Sequence, residues 1–471
     1  MEMTVIVAHC FGEDQTYPIL AAPSCKAKDY TDWEKLIEKV IETWVANGAD
    51  TTVAGHRTLV HDKLDESSPL FGILSDIPGL SLYTGSHSIT LDFDYKHIFK
   101  RFCTLLRSSN GLVLGNGRRM HAKKLEYYLT WLEDCDKEKA MRLLYPDDPQ
   151  DVPRAIELMC AVTRLGRIDP TMPPYTNPGQ IPDVITYIDF KTIRMLGDLF
   201  QNLLEPFVNP TLSLSQPVIH LSTFAHLLYS FYHSHRRSFM PNQLYYDSQT
   251  LVKNVIFCIA KQQRLDASQP FFLPDIGDDP IELLFAFLCM CGGHNSALYY
   301  KQGIDRLRAA QDIGGVYSCN PDLRHGHRRL NLLRTEHLDH MHRGMWSGDI
   351  LSRNVNLHAC WLNGHDTAIS VLSISPTYPE DFDYDGIFSN PNIDMLCVFG
   401  AGLYPGITEG DDEEDISVQT VLPETTNAGD PSSSCVEVDP VNPDSVPDEI
   451  EQEQLVLDLE DQLKTLNTLA A

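Results

Sequence analysis

The sequence predicts an α/β plus α protein, with a strand-bearing start, a large all-helical block through the middle and a disordered acidic C-terminal tail. Three observations predict it. Residues 4 to 22 carry two apolar runs of strand length ahead of a helical pattern. Residues 120 to 265 show helical periodicity with few strand signals. Residues 401 to 471 hold 18 acidic side chains against the single Lys464, which puts well over half of the formal charge of −28 at one end. With 471 residues, 43% of them hydrophobic and 9% aromatic, the chain is long enough for two or three domains and a sizeable core.

The opening segment reads as strands Thr4 to Phe11 and Thr16 to Ala22, joined by the turn formers Gly12, Glu13 and Asp14. A helix follows, because Trp33, Leu36, Ile37, Val40, Ile41 and Trp44 recur at helical spacing and Gly48 closes the pattern. The stretch LDFDYKHIFKRFCTLLRSSNG is a short strand or turn leading into a helix with His97, Lys100 and Arg101. In the helical block, Ile185, Ile188, Ile193, Leu196, Phe200, Leu203 and Leu204 share one broad apolar face, and Pro217, Pro241 and Pro270 punctuate the later helices. Residues 409 to 449 are acidic, rich in Pro, Ser and Thr and poor in aromatics, a composition that cannot bury enough surface to fold. Beyond them, Val456, Leu459, Leu463 and Leu466 space an amphipathic helix suited to self-association or docking.

Charge and cysteine usage narrow the function classes. Residues 1 to 400 are still net acidic, which excludes a surface that grips phosphates all over, so any contact with DNA needs a local basic patch. The twelve cysteines run from Cys10 to Cys435 without a C-x-x-C pair, as expected of reduced thiols inside a cell. Glu2 stands where a signal peptide carries Lys or Arg, and no apolar run approaches the ~18 residues of a membrane span. The expectation is an intracellular protein of nucleus or cytoplasm with no membrane contact.

Three stretches could carry chemistry. In DDPIELLFAFLCMC, Glu282 is the one charge between Asp279 and His294, and an unpaired buried carboxylate costs several kcal/mol or takes up a proton. Asp279 at a helix N-cap, Pro280 at the first helical position and Glu282 at the third make a capping box, the commoner reason for a Glu here. His325, His327, His337, His340 and His342, with Cys319 and Cys360 on either side, could supply nitrogens to zinc. Yet Arg324, Arg328, Arg329, Arg334 and Arg343 in the same stretch repel a cation, so a solvated basic surface able to bind phosphates is the better reading. GNGRRMHAKK joins a Gly-rich turn to Arg118, Arg119, Lys123 and Lys124 but lacks phosphate-loop spacing, and reads as a basic hairpin.

DYKHIFKR, from Asp94 to Arg101, resembles the D-x-x-H-x-x-K segment of P-element and THAP-type transposases, and DPIELLF, from Asp279 to Phe285, is similar to their D-x-L-E-x-x-F helix. The stretch from Thr4 to about Phe399 also resembles a family of transposon-associated fungal proteins through FGILSDIPGLSLYTG, DFDYKHIFKR, LLYPDDPQDVPRA, VKNVIFCIAK and GHRRLNL. The resemblance implies a partial RNase H-like domain interrupted by a large all-helical insertion. Residues 1–107 would be the N-terminal part of that domain, 108–275 the insertion, 276–400 its C-terminal part, 401–448 an acidic linker and 449–471 the terminal helix. It also implies two Mg²⁺ ions held by two Asp and one Glu for phosphoryl transfer, with Glu282 as metal ligand and Asp50 and Asp94 as catalytic candidates. His97 and Lys100 would join the arginines of 324–343 on DNA. The family's first Asp lies on a strand upstream of these residues, and Asp50 in VANGADTTVAGHR stands out of register for the second. Cys289 and Ala286 replace an Arg and a Gly of the Glu helix. One carboxylate cannot hold a metal pair, so the expectation is a catalytically inactive transposase fragment without a cofactor, Mg²⁺ entering only where activity is retained. The alternative is a nucleic-acid-binding or protein-interaction module using residues 324–343 and the terminal helix.

Overall fold

The two N-terminal apolar runs do pair: β1 (Glu2–His9) lies antiparallel to β2 (Thr16–Ser24), with a bulge between Ile6 and Val7. The computed structural model describes residues 2–9, 16–24, 30–46, 53–54, 62–114, 117–148, 151–172, 175, 184–277, 279–291, 300–319, 343–373, 388 and 393–398. Next along the chain is α1 (Tyr30–Ala46), whose Ile37, Ile41 and Val45 form a small cluster with Ile89. The expected order of strand, strand and helix is therefore present.

Short pieces follow. β3 (Val53–Ala54) runs parallel to β6 (Thr90–Leu91), while β4 (Asp62–Lys63) pairs antiparallel with β5 (Tyr83–Thr84), the one-turn helix α2 (Phe71–Leu74) falling between them in sequence. α3 (Tyr95–Arg107) comes after β6, and β7 (Leu112–Leu114) with β8 (Arg118–Met120) forms the basic hairpin expected at GNGRRM. The rest is helical: α4 (Ala122–Leu129), α5 (Lys137–Leu144), α6 (Val152–Leu165), α7 (Val184–Val208), α8 (Ser215–His235), α9 (Asn242–Asp266), α10 (Asp279–Met290), α11 (Tyr300–Cys319) and α12 (Leu357–Ser373). Every sheet among the described residues has two strands, so the described part of the molecule is mainly helical and a wider RNase H-like sheet is not among it. The acidic stretch 401–448 and the helix expected over 449–471 lie outside the described residues.

The helical block is built around α8 and α9. Both are buried on nearly every side, α9 without interruption from Leu244 to Lys261, as befits helices enclosed by others rather than laid on a surface. Two of the prolines act at helix starts: Pro217 falls in the first turn of α8, and Pro241 precedes α9, where the missing N–H costs nothing. α12 lies along α8 so closely that a Cβ on Gly364 would come within 2.4 Å of the Ser222 Cβ, and Ser222 Oγ donates to the Trp361 carbonyl at 2.7 Å. One hydrophobic core runs from Leu64 to Met395 and takes residues from α3, α6, α7, α8, α9 and α12. A separate, smaller core joins Leu284, Phe287 and Leu288 of α10 with Leu307 and Ala310 of α11 beneath Val5, Val7 and Ala21 of the hairpin.

Candidate functional site

The two motif segments, far apart in sequence, meet where α3 and α10 begin. Tyr95, Ile98, Phe99, Phe102, Cys103 and Leu106 recur at helical spacing and are buried, which fixes the inner face of α3. Asp94 caps the helix, its Oδ2 accepting from the His97 backbone N–H at 3.0 Å and meeting His97 Nδ1 at 2.6 Å. The side chain of Asp94 is only 7% exposed, that of His97 51%, so the carboxylate faces inward and the imidazole outward. Gly277, at φ +145°, passes directly over this cap; a Cβ there would lie 2.9 Å from Asp94 Oδ1, so only glycine admits the close approach. Lys96 is buried on the same turn and its Nζ donates to Asp279 Oδ1 in the first turn of α10.

That contact gives Asp279, of the expected capping box, a side-chain partner. α10 begins at Asp279 itself, one residue earlier than expected, and the Asp279 carboxylate turns to the Lys96 ammonium. Glu282 is half-buried in the same first turn, where the positive end of the helix favours a carboxylate. Asp94 and the turn bearing Glu282 are thus neighbours through Gly277 and Lys96. No group of three His, Cys, Asp or Glu side chains among the described residues is arranged to hold a metal ion.

Helix α9 backs the junction with polar side chains that its apolar pattern hides. Arg101 Nη1 donates to Asp247 Oδ2, Asn254 Nδ2 donates to Asp92 Oδ1 at 2.9 Å, and Thr90 Oγ1 donates to Asn254 Oδ1 at 2.7 Å. Asp247 and Asn254 lie two turns apart, so one stripe of α9 grips the segment from Thr90 to Arg101. Next to that stripe, the buried Lys253 donates to the Tyr83 carbonyl. Burial lowers the pKa of Lys253 to about 8 and raises that of Asp394, each countered by the attraction of the other. Desolvation outweighs attraction at both groups, and Lys253, with a pKa of about 8, keeps its charge near neutral pH.

Of the other expected site residues, Lys100 sits half-buried in α3. Arg343 is half-buried and donates to Asp275 Oδ2, which binds it into the protein instead of leaving it on an open basic face. Asp50, Arg324, Arg328, Arg329 and Arg334, and the five histidines from 325 to 342, lie outside the described residues. Sequence reading missed Lys96, Asp92, Asp247 and Asn254. Lys96 and Asp92 stand inside DFDYKHIFKR, but their partners are remote, 183 positions away for Lys96 and 162 for Asp92. A polar residue in an otherwise apolar helix was the available signal, and Asn254 in VKNVIFCIAK carries it.

Comparison of the chain with models of protein families, with curated proteins and with solved structures finds no match in any of the three.

Proposed function

We propose that the chain is a transposase-derived protein with a degenerate RNase H-like domain, in which the meeting of α3 and α10 has become a structural joint and strand transfer has been lost. The observation that carries this reading is the engagement of the acids. Asp94 caps α3 and holds His97, and Asp279 pairs with Lys96. A catalytic Mg²⁺ pair needs carboxylate oxygens directed at a shared cation, not at helix N–H groups and a lysine. The convergence of the D-x-x-H-x-x-K and D-P-I-E segments across a helical block supports the ancestry. So do the hairpin, helix and parallel strand pair that precede them. The test is incubation of the purified full chain with supercoiled plasmid and Mg²⁺ or Mn²⁺. No nicked circle is expected, and nicking that disappears in Glu282→Gln would overturn the proposal.

A second reading, binding of DNA or RNA, is favoured by the β7–β8 hairpin. Arg119 is exposed there and Lys123 just beyond it in the first turn of α4, and the His121 pKa is lowered by burial and by Lys124, Arg119 and Lys123, the mark of a locally positive field. A gel shift weakened by salt and by Arg119→Gln with Lys123→Gln would support it, and Arg328→Gln with Arg329→Gln tests the other basic stretch in the same assay. Unchanged mobility at low salt would remove this reading.

A further inference from the structure

A cleft of about 330 Å³ opens between the loop that follows α6 and one face of α7, on a side of the molecule with no part in the α3–α10 junction. Tyr187, Lys191, Arg194 and Asp198 line it at spacings of four, three and four, a single stripe of α7. Ile168, Phe190 and Met195 give it an apolar floor, and Val371 of α12 joins the lining. Gly166 lets the loop hug α7, since a Cβ there would lie 3.0 Å from the Arg194 Cα.

The charges on this lining are unbalanced. Asp169 accepts from the Thr171 N–H at 2.9 Å and from Thr171 Oγ1 at 2.6 Å, so its carboxylate is turned into its own loop. Asp198 pairs with Arg167 at 3.2 Å, and Arg167 also donates to Gln201. Lys191 and Arg194 remain, with no ion pair to a carboxylate among the described residues. Lys191 lies 4.5 Å from the Tyr187 ring centroid, held by an aromatic face that does not neutralise it. Burial raises the Asp198 pKa against the pull of Arg167 and Arg194. An apolar floor beneath two cations is the complement of a small ligand with a flat hydrocarbon body and one anionic group. The size stands at the lower end of the range for small-molecule sites.

We propose that this cleft binds a small organic anion, its ring over Phe190, Ile168 and Met195 and its carboxylate, sulfonate or phosphate group on Lys191 and Arg194. The guanidinium offers a two-pronged donor to such a group and the ammonium a point charge.

Calorimetric titration of the full chain with naphthoate, and with its neutral isostere naphthamide, tests the proposal. Naphthoate should bind at one site, about tenfold more tightly than naphthamide, a preference worth ~1.4 kcal/mol that shrinks as salt is added. Lys191→Gln with Arg194→Gln should erase the preference while leaving the melting temperature in place, because both side chains reach solvent. Ile168→Trp, which fills the floor, should remove both probes. Equal affinity for the two probes, undiminished naphthoate binding in the double variant, or no saturable naphthoate binding would each overturn the proposal.

Discussion

His226 is a neutral histidine sealed between α8 and α12. Its ring lies 5.2 Å from those of Trp361 and His365 and 4.8 Å from Phe388, and Nδ1 donates to the Ser222 carbonyl at 2.7 Å. Burial drives its pKa down to about 3, the Ser222 hydrogen bond opposing and His365 adding to the shift. An unfolded histidine takes up its proton near pH ~6.5, the folded one not until pH falls to about 3. Stability is therefore untouched above about pH 6.5, falls by ~1.4 kcal/mol per pH unit below it, and levels off near the folded value. Urea unfolding at about pH 5 should show ~2 kcal/mol less stability from this residue than at about pH 7.5, and His226→Phe should remove that share. At the junction, Lys96→Met or Asp279→Asn should each cost about 2 kcal/mol, because either leaves a partly buried charge behind. A double-mutant cycle checks it, the pair costing clearly less than the sum. The cap made by Asp94 and the ion pair made by Lys96 show what one sequence can and cannot reveal. A carboxylate immediately before an apolar-faced helical run is a local sign, whereas the lysine's acceptor belongs to another helix.

At the scale of elements, the α8–α12 seam rests on the absence of a side chain at Gly364. A methyl group there would collide with Ser222 Cβ and come within 2.7 Å of the Ile219 carbonyl, so the two helices must separate. Gly364→Ala should cost about 1 to 3 kcal/mol, read as a lowered thermal midpoint, whereas alanine at the exposed Gly344, with no atom within 4 Å, should leave it unchanged. Much of this level was legible. The 3.6-residue spacing gave α1, α3 and the long α7, and the turn residues gave both hairpins. Two things escaped. β3, β4 and β5 are strands of two residues each, too short for alternation to register, and the partner of Asp279, Lys96 of α3, lies 183 positions away. Asp50 and most of the 324–343 stretch lie outside the described residues.

Across the whole molecule, stability is unevenly shared between the two cores. The large one joins six major helices, while α10, α11 and the N-terminal hairpin rest on a few side chains around Phe287. Hydrogen exchange should therefore be slowest in α8 and α9, with α10, α11 and β1–β2 opening together at lower free energy. Leu284→Ala should speed exchange in that smaller unit and leave α9 protection intact; uniform loss of protection would contradict the division. The helical block was readable from composition and period, but the division into cores was not, because it depends on which distant segments touch.

The returning segment near Met395 has a temporal consequence. Its N–H binds the Gly79 carbonyl and its own carbonyl accepts from Tyr245, while Trp361 Nε1 reaches the Pro78 carbonyl, 283 positions upstream. During synthesis at roughly 5 to 20 residues per second, the part emerging first must wait many seconds for the strap that completes its floor. A nascent chain arrested before Trp361 would carry Pro78 and Gly79 without these mates, and protease attack between β4 and β5 should subside only once the strap has left the ribosome.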